Sequence, residues 1–211
     1  MINTTDSNNF CNYTNRLNKI LSTIEQSQID KLYDEIKKRI NSNNSIYIFG
    51  NGGSQANAHH IVGDYTKTFA LAGLKLKIAC LADNICYLTA ASNDLSYQEA
   101  YSILLGTIIE SNDLLIYLSG SGNSINLVKC ARKASLLGIT QVSVASFNGG
   151  ALKDIVDIPI YIKGDDMEIA EDIQLIIFHY LKQRLTNEFS DKFQNDLMNK
   201  YDKRTKEDLV S

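Results

Sequence analysis

Apolar residues fall into two regimes along this chain. From residue 10 to residue 41 they recur at helical spacing, and after residue 44 they gather into short runs separated by helix-length segments. The spacing predicts a helix over 10–24, with Leu17, Ile20, Leu21 and Ile24 on one stripe. A second helix is expected over 26–41, with Ile29, Leu32, Tyr33, Ile36 and Ile40 inward, ended by Asn41-Ser42-Asn43-Asn44. The short runs predict strands at 45–49, 74–81, 113–118, 140–146 and 157–162. Helices over 54–69, 97–110 and 124–137 lie between them, and a last long helix covers about 168–187. Nearly continuous Ile, Leu and Val runs alternating with helices indicate an α/β fold: a five-stranded parallel sheet flanked by helices, with two leading N-terminal helices. The run 74–81 differs, because Lys75 and Lys77 alternate with Leu74, Leu76 and Ile78. One solvated face and a place at the sheet edge follow from that alternation. No internal repeat is evident.

Composition narrows the class. The 211 residues are 44% hydrophobic and 21% charged, with a net charge of −3. That fits one domain over 1–211, with its core over about 10–187 and a charged tail over 190–211. The charge balance offers no basic footprint, so no nucleic-acid partner is expected. No apolar run is long enough to cross a bilayer, and Met1 to Asn9 is polar without a signal pattern. No membrane association is expected, and the reading is a cytoplasmic protein. Cys11, Cys80, Cys86 and Cys130 are scattered, with no CxxC, which predicts reduced and mostly buried thiols. The single proline, Pro159, leaves no Pro-rich linker.

Two loops carry the first candidate chemistry. Gly50-Asn51-Gly52-Gly53-Ser54 follows the strand at 45–49 and opens a helix. Glycines and a hydroxyl at such a turn leave backbone N–H groups for an anion, most often phosphate. Ser119-Gly120-Ser121-Gly122-Asn123-Ser124 ends the strand at 113–118 in the same way. The hydroxyls of Ser119, Ser121 and Ser124 are each able to donate to a phosphate oxygen. Ser124 also sits where a helix N-cap belongs. Two ordinary βα turns would account for either loop alone. Two such loops at one sheet edge, where open parallel sheets bind ligands, favour phosphate. Neither loop is a P-loop or a dinucleotide fingerprint, and no lysine is placed to meet a γ-phosphate.

Ionisable residues carry the second. The histidines are His59, His60 and His179. His60 and Asp64 are four apart and share a helix face, whereas His59 would face Gly63 and gains no such partner. Glu171 and His179 flank an apolar stretch of the last helix. His60 and Asp64 would serve as a surface pair, and His179 as a satisfied core histidine, without any chemistry. Brought together, the four side chains would suit a divalent metal, zinc first, or acid–base work. Residues eight apart on a straight helix are ~12 Å apart along its axis. So Glu171 and His179 of one chain reach one ion only if Glu171 precedes the helix; otherwise the site draws on two chains of an obligate oligomer.

These motifs, in this order and spacing, resemble the sugar isomerase (SIS) domain, and within it the sedoheptulose 7-phosphate isomerases, or phosphoheptose isomerases. The likeness runs from about residue 10 to 187 and rests on Gly50 to Ser54, Ala58-His59-His60, Ser119 to Ser124, Glu171-Asp172-Ile173 and His179. It implies a flavodoxin-like three-layer sandwich and a homotetramer with active sites at subunit interfaces. It implies phosphate binding by Ser54, Ser119, Ser121 and Ser124, beside the backbone of Asn51, Gly52 and Gly53 and the loop residue Gly120. It places Asn93 and Asp94 near sugar hydroxyls. It assigns His60, Asp64, Glu171 and His179 as ligands of one zinc ion per subunit, and Asp64 and His179 as the acid–base pair, with Asp64 and Glu171 also touching substrate.

The reaction so implied converts D-sedoheptulose 7-phosphate to D-glycero-D-manno-heptose 7-phosphate through a cis-enediol, in bacterial heptose synthesis for lipopolysaccharide or capsule. The chain departs from the family at four positions. Asp64 stands where Glu is usual, Glu171 where Gln is usual, Thr68 where Arg is usual, and Gly120 where Thr is common. Two alternatives stay open: a sibling isomerase acting on another phosphosugar, and a non-catalytic phosphosugar-binding regulator of the kind that associates with the DnaA initiator. The ionisable set favours an enzyme over the regulator.

Overall fold

A computed structural model describes residues 9–189. The charged tail expected over 190–211 lies outside the described residues. The chain runs α1 (Phe10–Leu21), α2 (Gln26–Ser42), β1 (Ser45–Phe49), α3 (Gly52–Leu71), β2 (Lys77–Cys80), α4 (Ile85–Asp94) and α5 (Ala100–Ile108). It continues with β3 (Leu114–Ser119), α6 (Ile125–Leu136), β4 (Thr140–Ala145), a 3-10 turn (Ala151–Asp154), β5 (Ile158–Tyr161) and α7 (Met167–Glu188). The five strands form one sheet in the order β2-β1-β3-β4-β5. Every pairing is parallel, with Ile48 opposite Cys80 and Ile116, and Leu118 opposite Val144.

That order fixes where a ligand binds. The chain winds one way from β1 to β2 and the other way from β3 to β5, so the direction reverses between β1 and β3. Right-handed crossovers of opposite direction place α3 and α6 on opposite faces of the sheet. α3 packs against β1, β2 and α7, while α6 packs against β4 and α5. Every residue of β3 is buried, as a central strand covered on both faces must be. Phe49 at the end of β1 meets Tyr101 and Tyr117, each with ring centroids 5.0 Å away. The crevice beyond the carboxyl ends of β1 and β3 is the topological switch point.

Two expectations need correction. The strand expected over 74–81 is only Lys77–Cys80, at the sheet edge as anticipated. Leu74 belongs instead to the stop of α3. Its N–H donates to Phe69 (2.9 Å) and that of Gly73 to Ala70 (3.0 Å), with Gly73 at φ 69°. That is the left-handed stop that glycine makes easy. The helix expected over 97–110 covers only Ala100–Ile108, and a separate α4 precedes it over Ile85–Asp94. α4 escaped the hydrophobic pattern because it buries only Ala91. Its signal was the cap: Asn84 accepts the N–H of Tyr87 at 2.9 Å.

Candidate active site at the switch point

The two loops end neighbouring strands and open onto one cleft of about 280 Å³. Its walls include Asn51, Gly52, Gly53, Ser54, Ser119, Gly120, Ser121 and Ser124, together with Met167 and Glu171 from the start of α7. The predicted phosphate-binding residues are therefore brought together. Gly52, at φ 54°, lets the chain turn from β1 into α3. A Cβ at Gly53 would meet the tip of the Glu171 side chain, which places that carboxylate against the glycine loop. Asn51 precedes α3 without capping it through its side chain, so the first N–H groups of the helix stay open.

The serines are held and still able to donate. Ser54 Oγ accepts from Gln174 Nε2 (3.2 Å), Ser119 Oγ from the N–H of Gly122 (2.9 Å), and Ser121 Oγ from that of Asn123 (3.2 Å). An accepting hydroxyl keeps its own hydrogen for a ligand. Ser124 occupies the N-cap of α6 but makes no capping bond with its side chain. The side chain of Asn51 is committed to structure. It exchanges two 2.9 Å bonds with the buried Asn126 and accepts from Tyr97 at 2.6 Å. Asn93 and Asp94 are exposed at the end of α4, bonded to each other at 2.9 Å, and do not line this cleft.

A second group forms where α3 faces α7. His60 Nε2 lies 3.0 Å from His179 Nε2, with the rings edge to face. Donor atoms of His60, Asp64 and His179 all lie within 4.8 Å of one another. Two imidazoles and a carboxylate at that spacing fit a divalent metal with an open position. Glu171 does not join them. α7 begins at Met167, so Glu171 and His179 both lie within regular helix and stay ~12 Å apart along its axis. The four-ligand set expected from the resemblance is thus not assembled within one chain. Glu171 faces the glycine loop instead.

Three features here were not anticipated. Lys182, one turn beyond His179, is ion-paired with Asp64 through Oδ2. Asn57 donates to the Glu171 carbonyl (2.9 Å) and to Gln174 Oε1 (3.0 Å), pinning α3 to α7 between the two groups. His59, expected to have no partner, turns away from α7 and pairs with Asp83, with Nδ1 2.9 Å from Oδ1. The cysteine expectation also holds only by half. All four thiols are free, but Cys11 and Cys86 are exposed while Cys80 and Cys130 are buried.

Comparison with known proteins agrees with the architecture. A model of the SIS domain matches residues 9–146. A phosphoheptose isomerase of Helicobacter pylori (strain Shi470) is 28% identical over 183 residues, covering 87% of this chain and 95% of that protein. One of Crocosphaera subtropica is 30% identical over 150 residues, covering 71% of this chain and 76% of that protein. The solved phosphoheptose isomerase of Neisseria gonorrhoeae superposes with a TM-score of 0.74 at 18% identity, over 81% of this chain and 94% of that one. Among the described residues, no helix is long and apolar enough to cross a membrane.

Proposed function

The chain belongs to the SIS domain family, and from that premise we propose that it interconverts D-sedoheptulose 7-phosphate and D-glycero-D-manno-heptose 7-phosphate by proton transfer through a cis-enediol. It would thereby take the first step of bacterial heptose synthesis for lipopolysaccharide or capsule. The observation that carries the proposal is the pairing of a serine–glycine cleft at the β1/β3 switch point with an ionisable trio further along α3 and α7. Glu171, in the cleft wall, and His179, in the trio, are ~12 Å apart along α7. An extended seven-carbon chain carries its reacting C1 and C2 about 10 Å from its 7-phosphate, counting ~1.25 Å per bond of ~1.5 Å. A sugar phosphate of that length comes within about 2 Å of spanning the separation, a gap left to the side chains at either end.

Phosphate binds first in this account, on the N–H groups opening α3 and the hydroxyls of Ser54, Ser119, Ser121 and Ser124. Asp64 removes the proton beside the carbonyl, and His179 moves a proton at the oxygens. The ion pair with Lys182 engages Oδ2 of Asp64, leaving Oδ1 to take the proton. His60, 3.0 Å from His179, holds that ring by its Nε2. One zinc ion per subunit would be held by His60, Asp64 and His179, and when bound it would polarise the carbonyl as a Lewis acid. An ion held by Asp64 and His179 takes up the groups that move protons, so metal binding and acid–base work are alternative states of the trio. We further propose a homotetramer with active sites at subunit interfaces. The exposed apolar side chains around α4 and α5 support it, with Ile85 and Leu95 each 62% exposed.

One observation favours a sibling isomerase as the second reading. Glu171 puts a carboxylate beside the glycine loop, and a carboxylate favours sugar hydroxyls over phosphate there. The deciding test of chemistry is isomerisation of sedoheptulose 7-phosphate by Asp64→Asn and His179→Ala. Each is expected to lose turnover by about 10²–10⁴-fold with the oligomer intact. Near-normal turnover in either variant overturns the assignment.

A further inference from the structure

His59 and His60 are neighbours, yet a 100° step around α3 sends them to different partners. His60 meets α7, whereas His59 meets the edge of the sheet where β2 ends. His59 Nδ1 is 2.9 Å from Asp83 Oδ1, and His59 Nε2 is 4.0 Å from Cys80 Sγ. Asp83 Oδ2 accepts the backbone N–H of Cys80 at 3.2 Å, which fixes the carboxylate beside the sulfur. One donor atom from each of the three residues lies within 4.8 Å of the other two. The side chains of His59 and Asp83 are 45% and 52% exposed, and Cys80 is buried beneath them.

We infer that His59, Cys80 and Asp83 form a second divalent-metal site, distinct from the His60, Asp64 and His179 group and selective for a thiophilic ion such as zinc. The donor set decides the class of metal. Thiolate and imidazole suit zinc, whereas magnesium and calcium take oxygen ligands. Three protein donors leave a fourth tetrahedral position for water. Bond lengths of ~2.3 Å to sulfur and ~2.1 Å to nitrogen put those two atoms about 3.6 Å apart around a tetrahedral zinc. The observed 4.0 Å closes to that value with a small swing of the exposed His59 ring. Asp83 swings an oxygen from the imidazole to the ion.

The surroundings of the sulfur fit the same role. Gln55 donates to Cys80 Sγ through Nε2 at 2.6 Å, a bond that strengthens when the sulfur is anionic. Its Oε1 accepts the N–H of Gly50 at 3.0 Å, so one amide joins the sulfur to the head of the glycine loop. A capped turn at the end of β2 explains Asp83, but it gives no reason for an imidazole nitrogen directed at the sulfur.

Cobalt(II) titration of the full, reduced and chelator-stripped chain tests this inference apart from any catalysis. A thiolate bound to cobalt gives a near-ultraviolet sulfur-to-metal charge-transfer band, which the nitrogen- and oxygen-only His60 group does not produce. The wild-type chain is expected to show the band, and His60→Ala to retain it. Cys80→Ser and His59→Ala are each expected to lose it, with one fewer cobalt bound per chain. His59 is exposed, so its variant reports even if Cys80→Ser fails to fold. Absence of the band in the wild type at saturating cobalt overturns the site. Survival of the band in His59→Ala overturns it equally.

Discussion

The cleft at the switch point and the trio between α3 and α7 are built from different material. The cleft is mostly backbone and hydroxyl: helix N–H groups, glycines at the turn into α3, and serines of which Ser54, Ser119 and Ser121 are each tied to a neighbour. The trio is side chain alone, three groups from two helices that meet through His60 and His179. A site made of many small donors loses affinity in steps when one is removed. A site made of three ionisable groups loses its chemistry when one is removed. Under the proposed function the difference separates binding from turnover, and it gives each residue a distinct expected kinetic signature.

Substitution on the two sides should therefore break differently. The largest effect falls on the helix side, where Asp64→Asn and His179→Ala take their loss in kcat with KM little changed, read in steady-state kinetics. Ser121→Ala comes next, on the loop side. A hydrogen bond to a charged group contributes about 1.5–3 kcal/mol, so KM should rise roughly 10–100-fold with kcat nearly kept. Equal loss of kcat in Ser121→Ala would erase the distinction between the two regions. Glu171→Gln is the smallest and the most pointed, because Glu171 is an α7 residue that lines the loop cleft. Removing one negative charge beside a bound phosphate gains about 1 kcal/mol, or roughly fivefold in KM. A raised KM instead would mean that the carboxylate holds a sugar hydroxyl.

Much of the fold was legible because strands buried on both faces announce themselves. Leu114 to Leu118 form an unbroken apolar run, and the loops after β1 and β3 carry their glycines and serines in sequence. The strand order, and with it the switch point, is a long-range property that no local pattern holds. α4 stayed hidden because a helix that buries only Ala91 has no apolar stripe to read. The candidate site divides in the same way. His60 and Asp64 were visible as an i, i+4 pair, and the separation of Glu171 from His179 followed from helix geometry once both were placed within α7. Lys182 was not legible, because 118 residues separate it from Asp64. Nor was the partner of His59, since Asp83 reaches it only through the turn that ends β2 at the sheet edge. Tyr97 and Asn126, which lock Asn51, are ordinary polar residues until the fold brings them to the loop.

The proposed spacing of cleft and trio suits a seven-carbon sugar phosphate. Its most direct test is kcat/KM of the wild-type oligomer on sedoheptulose 7-phosphate, measured beside ketohexose and ketopentose phosphates. The heptulose is expected to give the highest value, since a five-carbon chain has about 2.5 Å less reach at ~1.25 Å per bond. Faster turnover of a shorter phosphosugar would contradict it.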